Sequence, residues 1–272
     1  MGRTTQAVIL ARGLGTRMRR ADESATLTGA EGRAADAGLK GMIPFDRPFL
    51  DYVLSALADA GISQATIVVG PEHGAVRDYF AATAAGRRVS LAFAEQREAR
   101  GTADAVLAAR AAVGDATFLV LNADNYYYPS DIQALAQLGD NGLLAYEAEA
   151  LVAGGGIERD RVLRFALLDI GADDTLLEIH EKPAADDPLA RRAERWVSMN
   201  LWSFTPEIFG ACERVAPSTR GENELQSAVA LAIGERGITF RVIRARSAVL
   251  DLSTRADVER VGTQLAGVRP QP

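Results

Sequence analysis

Residues 7–20, AVILARGLGTRMRR, join a short apolar run directly to a loop rich in glycine and arginine. The run 7–10 is typical of a buried β-strand, because its residues are all apolar and a polar loop ends it. Glycines after a strand allow positive φ and close backbone approach, so successive N–H groups can face one anion. Arg17 adds a charge that can form paired hydrogen bonds with phosphate. The segment therefore predicts an anion-binding loop after a strand.

This loop matches neither of two common phosphate-binding motifs. Met18 stands where GxGxxG needs its third glycine, and no Gly-Lys-Ser/Thr follows as it does in a P-loop. Both mismatches weaken a dinucleotide-binding or ATPase interpretation. Taken alone, the motif also fits a simple glycine turn with solvated arginines.

Short apolar runs and amphipathic segments alternate through the first half of the chain. Apolar residues of the segment 49–57 fall at helical spacing, whereas 65–69, 89–94 and 118–121 have the composition of strands. Such alternation is typical of a parallel sheet covered by helices on both faces.

The pattern changes after about residue 140. Three strands with few intervening helices are predicted there: 161–170, 176–181 and 196–204. Because these strands follow one another closely, the sheet is expected to become mixed. The prediction is an α/β fold, Rossmann-like, with a mixed, mainly parallel sheet flanked by helices. We expect a single domain over residues 1–272, with halves at about 1–140 and 141–265.

Composition excludes several classes of protein. The 272 residues carry 30 Lys and Arg against 36 Asp and Glu, a net charge of -6 that disfavours nucleic-acid and membrane-surface partners. No apolar run approaches the roughly 20 residues needed to cross a bilayer. The single Cys212 cannot form an intrachain disulfide, which fits a reducing cytoplasm. The sequence predicts a cytoplasmic protein with a small anionic ligand and leaves a homo-oligomer open.

A second motif is FLVLNADNYYYP, residues 118–129, where an apolar strand ends at Asn122, Ala123 and Asp124. Ligands of parallel sheets bind beyond the carboxyl ends of the strands, so Asp124 and the loop 13–17 could face one crevice. A carboxylate with no His or Cys nearby suits Mg²⁺, which takes its other ligands from water and substrate phosphate. A turn or capping role for Asp124 is the alternative.

Three weaker features complete the candidates. Gln96 and Gly101 occupy a strand-to-helix turn, where an amide could contact the edge of a base. Glu181 and Lys182 stand together at a strand end, and Asp251 follows a short strand. Each has an ordinary structural alternative: a helix start, an exposed ion pair and an acid near a helix cap.

The segment 21–38 interrupts the pattern with small and polar residues. It predicts either an inserted mobile loop or a marginal helix, and a mobile loop could close over a bound ligand.

Together these pieces resemble the sugar-phosphate nucleotidyltransferase family. The similarity runs from about residue 6 to residue 261 and rests on ordered motifs: GLGTR, GLKGMIP, DRPFLDYVLSALADAGI, GTADAV, LNAD, EKP, VSMNLWSF and DLSTRADV. The resemblance implies a Mg²⁺-dependent enzyme of the EC 2.7.7 type. Such an enzyme joins a nucleoside triphosphate and a sugar 1-phosphate into a nucleoside diphosphate sugar and pyrophosphate.

The resemblance also implies roles for individual positions. Nucleotide contacts fall at Ala11, Gly13, Gly15, Thr16, Gln96, Gly101 and Thr102. The catalytic set is Arg17, which would clamp the departing pyrophosphate, Lys40, near the α-phosphate, and Asp124. Sugar-phosphate contacts fall at Glu181, Lys182, Ser198 and Asn200. Asp124 and Asp251 would hold Mg²⁺.

Three departures from the family pattern affect these assignments. The separation of Arg17 from Lys40 is about twice the usual spacing, so the long loop could displace Lys40. Residues 18–20 lack a proline that is common after the arginine. Asn200 replaces a common glycine, which leaves the sugar open.

Two alternatives to sugar transfer stay open. The acceptor could be a cyclitol phosphate or an amino alcohol phosphate. A catalytically silent nucleotide-sugar sensor is favoured only if Lys40 is displaced. The identity of the base is not predicted.

Overall fold

The chain forms a mixed sheet with helices on both faces. The computed structural model describes residues 2–22, 25–184 and 186–272. The strands are β1 Gln6–Leu10, β2 Gln64–Val69, β3 Ser90–Glu95, β4 Phe118–Asn122, β5 Asn125–Tyr127, β6 Gly142–Glu147, β7 Ala166–Ile170, β8 Leu176–His180, β9 Trp196–Phe204, β10 Arg241–Ala245 and β11 Val249–Asp251. The helices are α1 Thr16–Arg19, α2 Gly29–Ala37, α3 Phe49–Asp59, α4 Gly74–Ala82, α5 Thr102–Ala108, α6 Arg110–Val113, α7 Pro129–Leu138, α8 Ala148–Gly155, α9 Arg159–Val162, α10 Ile208–Arg214, α11 Leu225–Arg236 and α12 Ala256–Leu265. A 3₁₀ helix, Lys40–Met42, follows α2.

The main sheet has the strand order β10-β6-β9-β4-β1-β2-β3 in the part of the chain that is described. β9 runs antiparallel to both of its neighbours, β4 and β6, whereas the other pairs along this path are parallel. β7 and β8 form a hairpin against the first part of β9, and β5 pairs with β11 in a small separate sheet. The predicted α/β fold with a mixed, mainly parallel sheet is confirmed.

Alternate residues of the central strands fill two hydrophobic cores. On β1, the side chain of Ile9 belongs to the core that contains residues of α3, α7 and α12, whereas Val8, on the opposite face, belongs to the core that contains residues of α5, α10 and α11. Burial on both faces explains why these strands are apolar without interruption. Among the described helices, none has the length and hydropathy required to cross a lipid bilayer.

The structure corrects the predicted strand 161–170. Residues 159–162 form helix α9 and only Ala166–Ile170 is a strand. The N–H of Val162 donates to the carbonyl oxygen of Glu158 over 3.0 Å and that of Leu163 to the carbonyl oxygen of Arg159 over 3.1 Å, so this part of the segment has helical hydrogen bonds. β6 was not predicted, because a short apolar run such as GLLAYE does not distinguish a buried strand from a helix.

The inserted segment 21–38 contains a regular helix, α2. Thr28 and Glu31 form a reciprocal capping box, in which the Thr28 N–H donates to Glu31 Oε2 over 2.6 Å. This cap stabilises the start of α2, so the helix alternative holds for residues 29–37. The predicted mobile loop also includes Glu23 and Ser24, which lie outside the described residues.

Candidate active site

The smaller of two cavities at the sheet edge lies against the loop that follows β1. Its volume is about 280 Å³. The predicted site residues that line it are Ala11, Gly13, Lys40, Gln96, Gly101, Thr102 and Asp124. β1, β3 and β4 point the same way, so the segments that follow them meet at one edge of the sheet. The structure therefore brings most of the predicted nucleotide-binding residues and Asp124 into one crevice.

Lys40 and Asp124 form an ion pair in this cavity. Lys40 Nζ lies 2.7 Å from Asp124 Oδ2, and both side chains are largely buried, with exposed fractions of 16% and 23%. The long segment before Lys40 has not displaced it. The remaining oxygen, Asp124 Oδ1, has no hydrogen-bond partner within the described residues and can accept a ligand.

Gly15 shapes the loop without lining either cavity. Its φ is 61°, and a Cβ at this position would lie 2.4 Å from the carbonyl oxygen of Gly38, at the end of α2. Only glycine allows both this conformation and this close approach. Thr16, the first residue of α1, is also absent from the described linings of the two cavities. These two residues stay predicted nucleotide contacts.

Gln96 lies in the turn between β3 and α5. Its side chain is buried, and Nε2 donates to the carbonyl oxygen of Gly101 over 3.0 Å and to Asp104 Oδ2 over 2.8 Å. Gly101 has a φ of 108°, and a Cβ there would lie 2.5 Å from the carbonyl oxygen of Asn223. The amide nitrogen of Gln96 is thus already paired, so a base would meet its carbonyl oxygen.

The larger cavity lies beside the smaller one and has a volume of about 1150 Å³. Six predicted site residues line it: Arg17, Thr102, Glu181, Lys182, Ser198 and Asn200. Arg17 thus shares a cavity with the predicted sugar-phosphate contacts and not with the other residues of its loop. Thr102 and Glu222 line both cavities, so the two spaces adjoin.

Two residues of the larger cavity have left-handed backbone conformations. φ is 46° at Lys182 and 60° at Asn200. Asparagine tolerates this region better than most other residues with a Cβ, so it can stand where the family resemblance implies glycine. Its side chain accepts a hydrogen bond from Gln226 Nε2 over 2.7 Å, which glycine could not.

Asp251 lies in a buried ionic cluster. It pairs across the small sheet with Asn125, whose Nδ2 donates to Oδ1 over 3.1 Å, and Ser253 Oγ donates to the same oxygen over 3.1 Å. Arg161 Nη2 donates to Oδ2. Burial raises the pKa of Asp251, and the charge of Asp124 raises it further, whereas the charge of Arg161 opposes both. Both oxygens of Asp251 are therefore occupied by side chains of the chain itself.

Arg161 also binds a second buried carboxylate, that of Asp257. Arg161 Nη1 lies 2.8 and 3.0 Å from the two carboxylate oxygens, and Arg260 Nη2 lies 2.8 Å from one of them. Although burial acts to raise it, hydrogen bonds from Arg161 bring the pKa of Asp257 down to about 2. No role was predicted from the sequence for Arg161, because nothing in residues 158–164 indicates a partner about ninety residues away.

Comparison with known proteins identifies the family. The family model described as Nucleotidyl transferase matches residues 36–253. A UTP–glucose-1-phosphate uridylyltransferase of Haloferax volcanii is 29% identical over 263 residues, which are 96% of each chain. A glucose-1-phosphate thymidylyltransferase of Neisseria meningitidis serogroup A is 22% identical over 79% of this chain and 71% of its own.

A solved structure agrees at the level of the fold. A UDP-glucose pyrophosphorylase complexed with UDP-glucose superimposes with a TM-score of 0.74 over 98% of this chain and 100% of that chain, at 17% sequence identity. The family model covers well over half of the chain and includes Lys40, Asp124 and Asp251. The chain therefore belongs to the nucleotidyl transferase family, among the sugar-phosphate nucleotidyltransferases.

Proposed function

We propose that this protein transfers a nucleotidyl group from UTP or dTTP to a sugar 1-phosphate. The observation that carries the proposal is the pair of adjoining cavities, which share Thr102 and Glu222. One contains the glycine loop with Lys40 and Asp124, and the other contains Lys182. This arrangement suits two phosphorylated substrates that must meet. The pyrimidine base is proposed from the named activities of the Haloferax and Neisseria relatives.

In the proposed reaction, a phosphate oxygen of the sugar 1-phosphate attacks the α-phosphorus of the nucleotide. The new P–O bond forms as the bond to the β-phosphate oxygen breaks, and pyrophosphate leaves with both electrons of that bond. Such chemistry requires positioning and charge neutralisation more than a nucleophilic side chain. Lys40 is proposed to stabilise the α-phosphate and Lys182 to orient the sugar phosphate. Arg17 is proposed to stabilise the departing pyrophosphate.

The carboxylate of Asp124 fits a magnesium ligand. It is a hard oxygen donor that lines the proposed nucleotide cavity, and its Oδ1 has no partner among the described residues. When bound, Mg²⁺ neutralises charge on the substrate phosphates. Asp251 is less available, because Arg161, Asn125 and Ser253 already bind its two oxygens. We propose Asp124 as the principal ligand, with Asp251 contributing only if Arg161 releases one oxygen.

Strands from both halves of the sequence share the main sheet, which supports one domain over the whole chain. We also propose a cytoplasmic location, because the single Cys212 is a buried free thiol, as is usual in a reducing compartment.

The alternative of a catalytically silent sensor was favoured only if Lys40 was displaced. Lys40 lies in the cavity beside Asp124, so this alternative is not favoured.

The proposal is tested with a panel of substrates. The protein is incubated with Mg²⁺, each of UTP, dTTP, ATP, CTP and GTP, and a set of phosphorylated acceptors, while pyrophosphate release is followed. The acceptors include sugar 1-phosphates, a cyclitol phosphate and an amino alcohol phosphate. We expect release with UTP or dTTP and a sugar 1-phosphate. If pyrophosphate is released only with the cyclitol phosphate or the amino alcohol phosphate, that acceptor replaces the sugar 1-phosphate in the proposal.

A further inference from the structure

Arg12 connects loops at the ends of three adjacent parallel strands. It is the second residue after β1. Its Nε donates to the carbonyl oxygen of Gln96 over 2.7 Å, and its Nη2 donates to that of Arg97 over 3.2 Å, both after β3. Nη2 also lies 3.4 Å from a carboxylate oxygen of Glu72, after β2. One side chain therefore fixes the relative positions of three loops beside the smaller cavity.

The environment of Arg12 leaves part of its hydrogen-bonding capacity unused. The side chain is 9% exposed and lines the cavity next to Gln96 and Gly101. Its Nη1 is buried, yet finds no hydrogen-bond partner in residues 2–22, 25–184 and 186–272. A buried donor without an acceptor is unfavourable, so the hydrogen bonds of Nε and Nη2 have to offset the cost of burying this guanidinium group.

We propose that Arg12 is a positioning residue that sets the affinity of this cavity for the nucleotide by holding the loop of Gln96. The inference rests on the proposed function, since it takes the smaller cavity as the nucleotide site. Two hydrogen bonds to consecutive carbonyl groups define the path of the backbone at Gln96. Lysine has a single ammonium group on a flexible stem, so it cannot reproduce this forked contact.

Arg77 provides a matched control. Its Nη1 donates to the carbonyl oxygen of Gly70 over 3.4 Å, and its Nη2 donates to Glu95 Oε2 over 3.1 Å. It therefore also bridges the ends of β2 and β3, but it is not among the residues that line the smaller cavity. Loss of Arg77 removes a comparable structural link without altering the nucleotide cavity.

The test compares Arg12→Lys, Arg12→Gln and Arg77→Gln with the wild type. Equilibrium dialysis with each of the five nucleoside triphosphates, without acceptor, gives the dissociation constants. Steady-state kinetics then gives KM for nucleotide and for sugar phosphate. We expect both Arg12 variants to bind nucleotide roughly tenfold more weakly, with an unchanged KM for sugar phosphate. Arg77→Gln should bind nucleotide like the wild type.

Other outcomes overturn the inference. A dissociation constant for nucleotide within about twofold of the wild-type value in both Arg12 variants would do so. An equal rise in the KM values for nucleotide and sugar phosphate would also overturn it, as would an equal loss of nucleotide affinity in Arg77→Gln. Arg12→Lys keeps the charge and the aliphatic stem, so it decides the question if Arg12→Gln does not fold. If the wild type itself binds no nucleotide and releases no pyrophosphate, the proposed function fails. If the wild type is active and only the Arg12 effect is missing, the inference alone fails.

Discussion

Lys40 Nζ donates a hydrogen bond to Asp124 Oδ2 over 2.7 Å, although the two residues are 84 positions apart. The pair forms because β4 ends beside β1, while α2 takes up much of the segment between Arg17 and Lys40. Gly38, at the end of this helix, packs against Gly15, and this contact returns the chain to the cavity. The long insertion therefore leaves Lys40 at the site where the nucleotide is proposed to react.

Replacing Asp124 should abolish catalysis without unfolding the protein. Asp124→Asn removes the proposed negative ligand for Mg²⁺ and the partner of Lys40, so we expect kcat to fall by at least about 10²-fold. Asp115→Asn, at an exposed position, is the control and should keep wild-type activity. Pyrophosphate release and the thermal unfolding midpoint are measured for both. Turnover close to that of the wild type in Asp124→Asn would remove this residue from the proposed mechanism.

Lys182 and Arg17 line the same large cavity, and replacing each residue in turn should distinguish their roles. Lys182→Ala removes a charge-assisted contact of about 1.5–3 kcal/mol, so KM for the sugar phosphate should rise at least roughly tenfold. Arg17→Ala should instead impair use of the nucleoside triphosphate. Initial rates are measured while each substrate is varied in turn. The assignment of Arg17 to the pyrophosphate would be wrong if both variants raised only the KM for the sugar phosphate.

Protonation of Asp257 at low pH should lower the free energy of unfolding. Its pKa is about 2 in the folded protein, below the ordinary value of 3.8, because hydrogen bonds from Arg161 and Arg260 outweigh the effect of burial. A lowered folded-state pKa contributes stability that is complete above the unfolded pKa and is lost as the pH falls from about 4 to 2. The contribution is about 2 kcal/mol.

Asp257→Asn tests this contribution by urea unfolding at pH 5 and pH 3. The wild type should exceed the variant in unfolding free energy at pH 5, and this difference should shrink at pH 3. A difference that is the same at both pH values would contradict the proposed ionic origin.

Nucleotide binding should protect the segment 21–38 from proteases. Gly38 and Leu39 line the smaller cavity, the proposed nucleotide site, so a bound nucleoside triphosphate should hold the preceding segment in place. Limited proteolysis is compared with and without UTP or dTTP and Mg²⁺, with cleavage sites mapped by mass spectrometry. Equal cleavage at this segment in both samples would assign it a purely structural role.

Much of the fold was predictable because buried parallel strands are apolar throughout. Residues 65–69 and 118–121 were identified within a residue or so of their observed limits, and 196–204 matches β9. β6 and α9 were missed because a short apolar run suits either type of structure, and because the long-range ion pairs of Arg161 leave no local signal.

The candidate site was predictable where it depends on strand ends and motifs. Ala11, Gly13 and Asp124 meet in one cavity because the parallel strands end at one edge. The placement of Arg17 in the same cavity as Lys182, and of Arg161 on Asp251, depends on segments folding over that edge, which spacing alone does not indicate. The left-handed conformation of Asn200 accounts for the glycine that the family resemblance implies at this position.

³¹P NMR of a mixture of the protein, Mg²⁺, UTP or dTTP, and glucose 1-phosphate tests the proposed function most directly. We expect the signals of the triphosphate and the sugar phosphate to decay together. A nucleoside diphosphate sugar and pyrophosphate should appear in equal amounts. A free nucleoside monophosphate in place of the nucleoside diphosphate sugar would contradict the proposed transfer. Unchanged spectra at protein concentrations that bind both substrates would also contradict it.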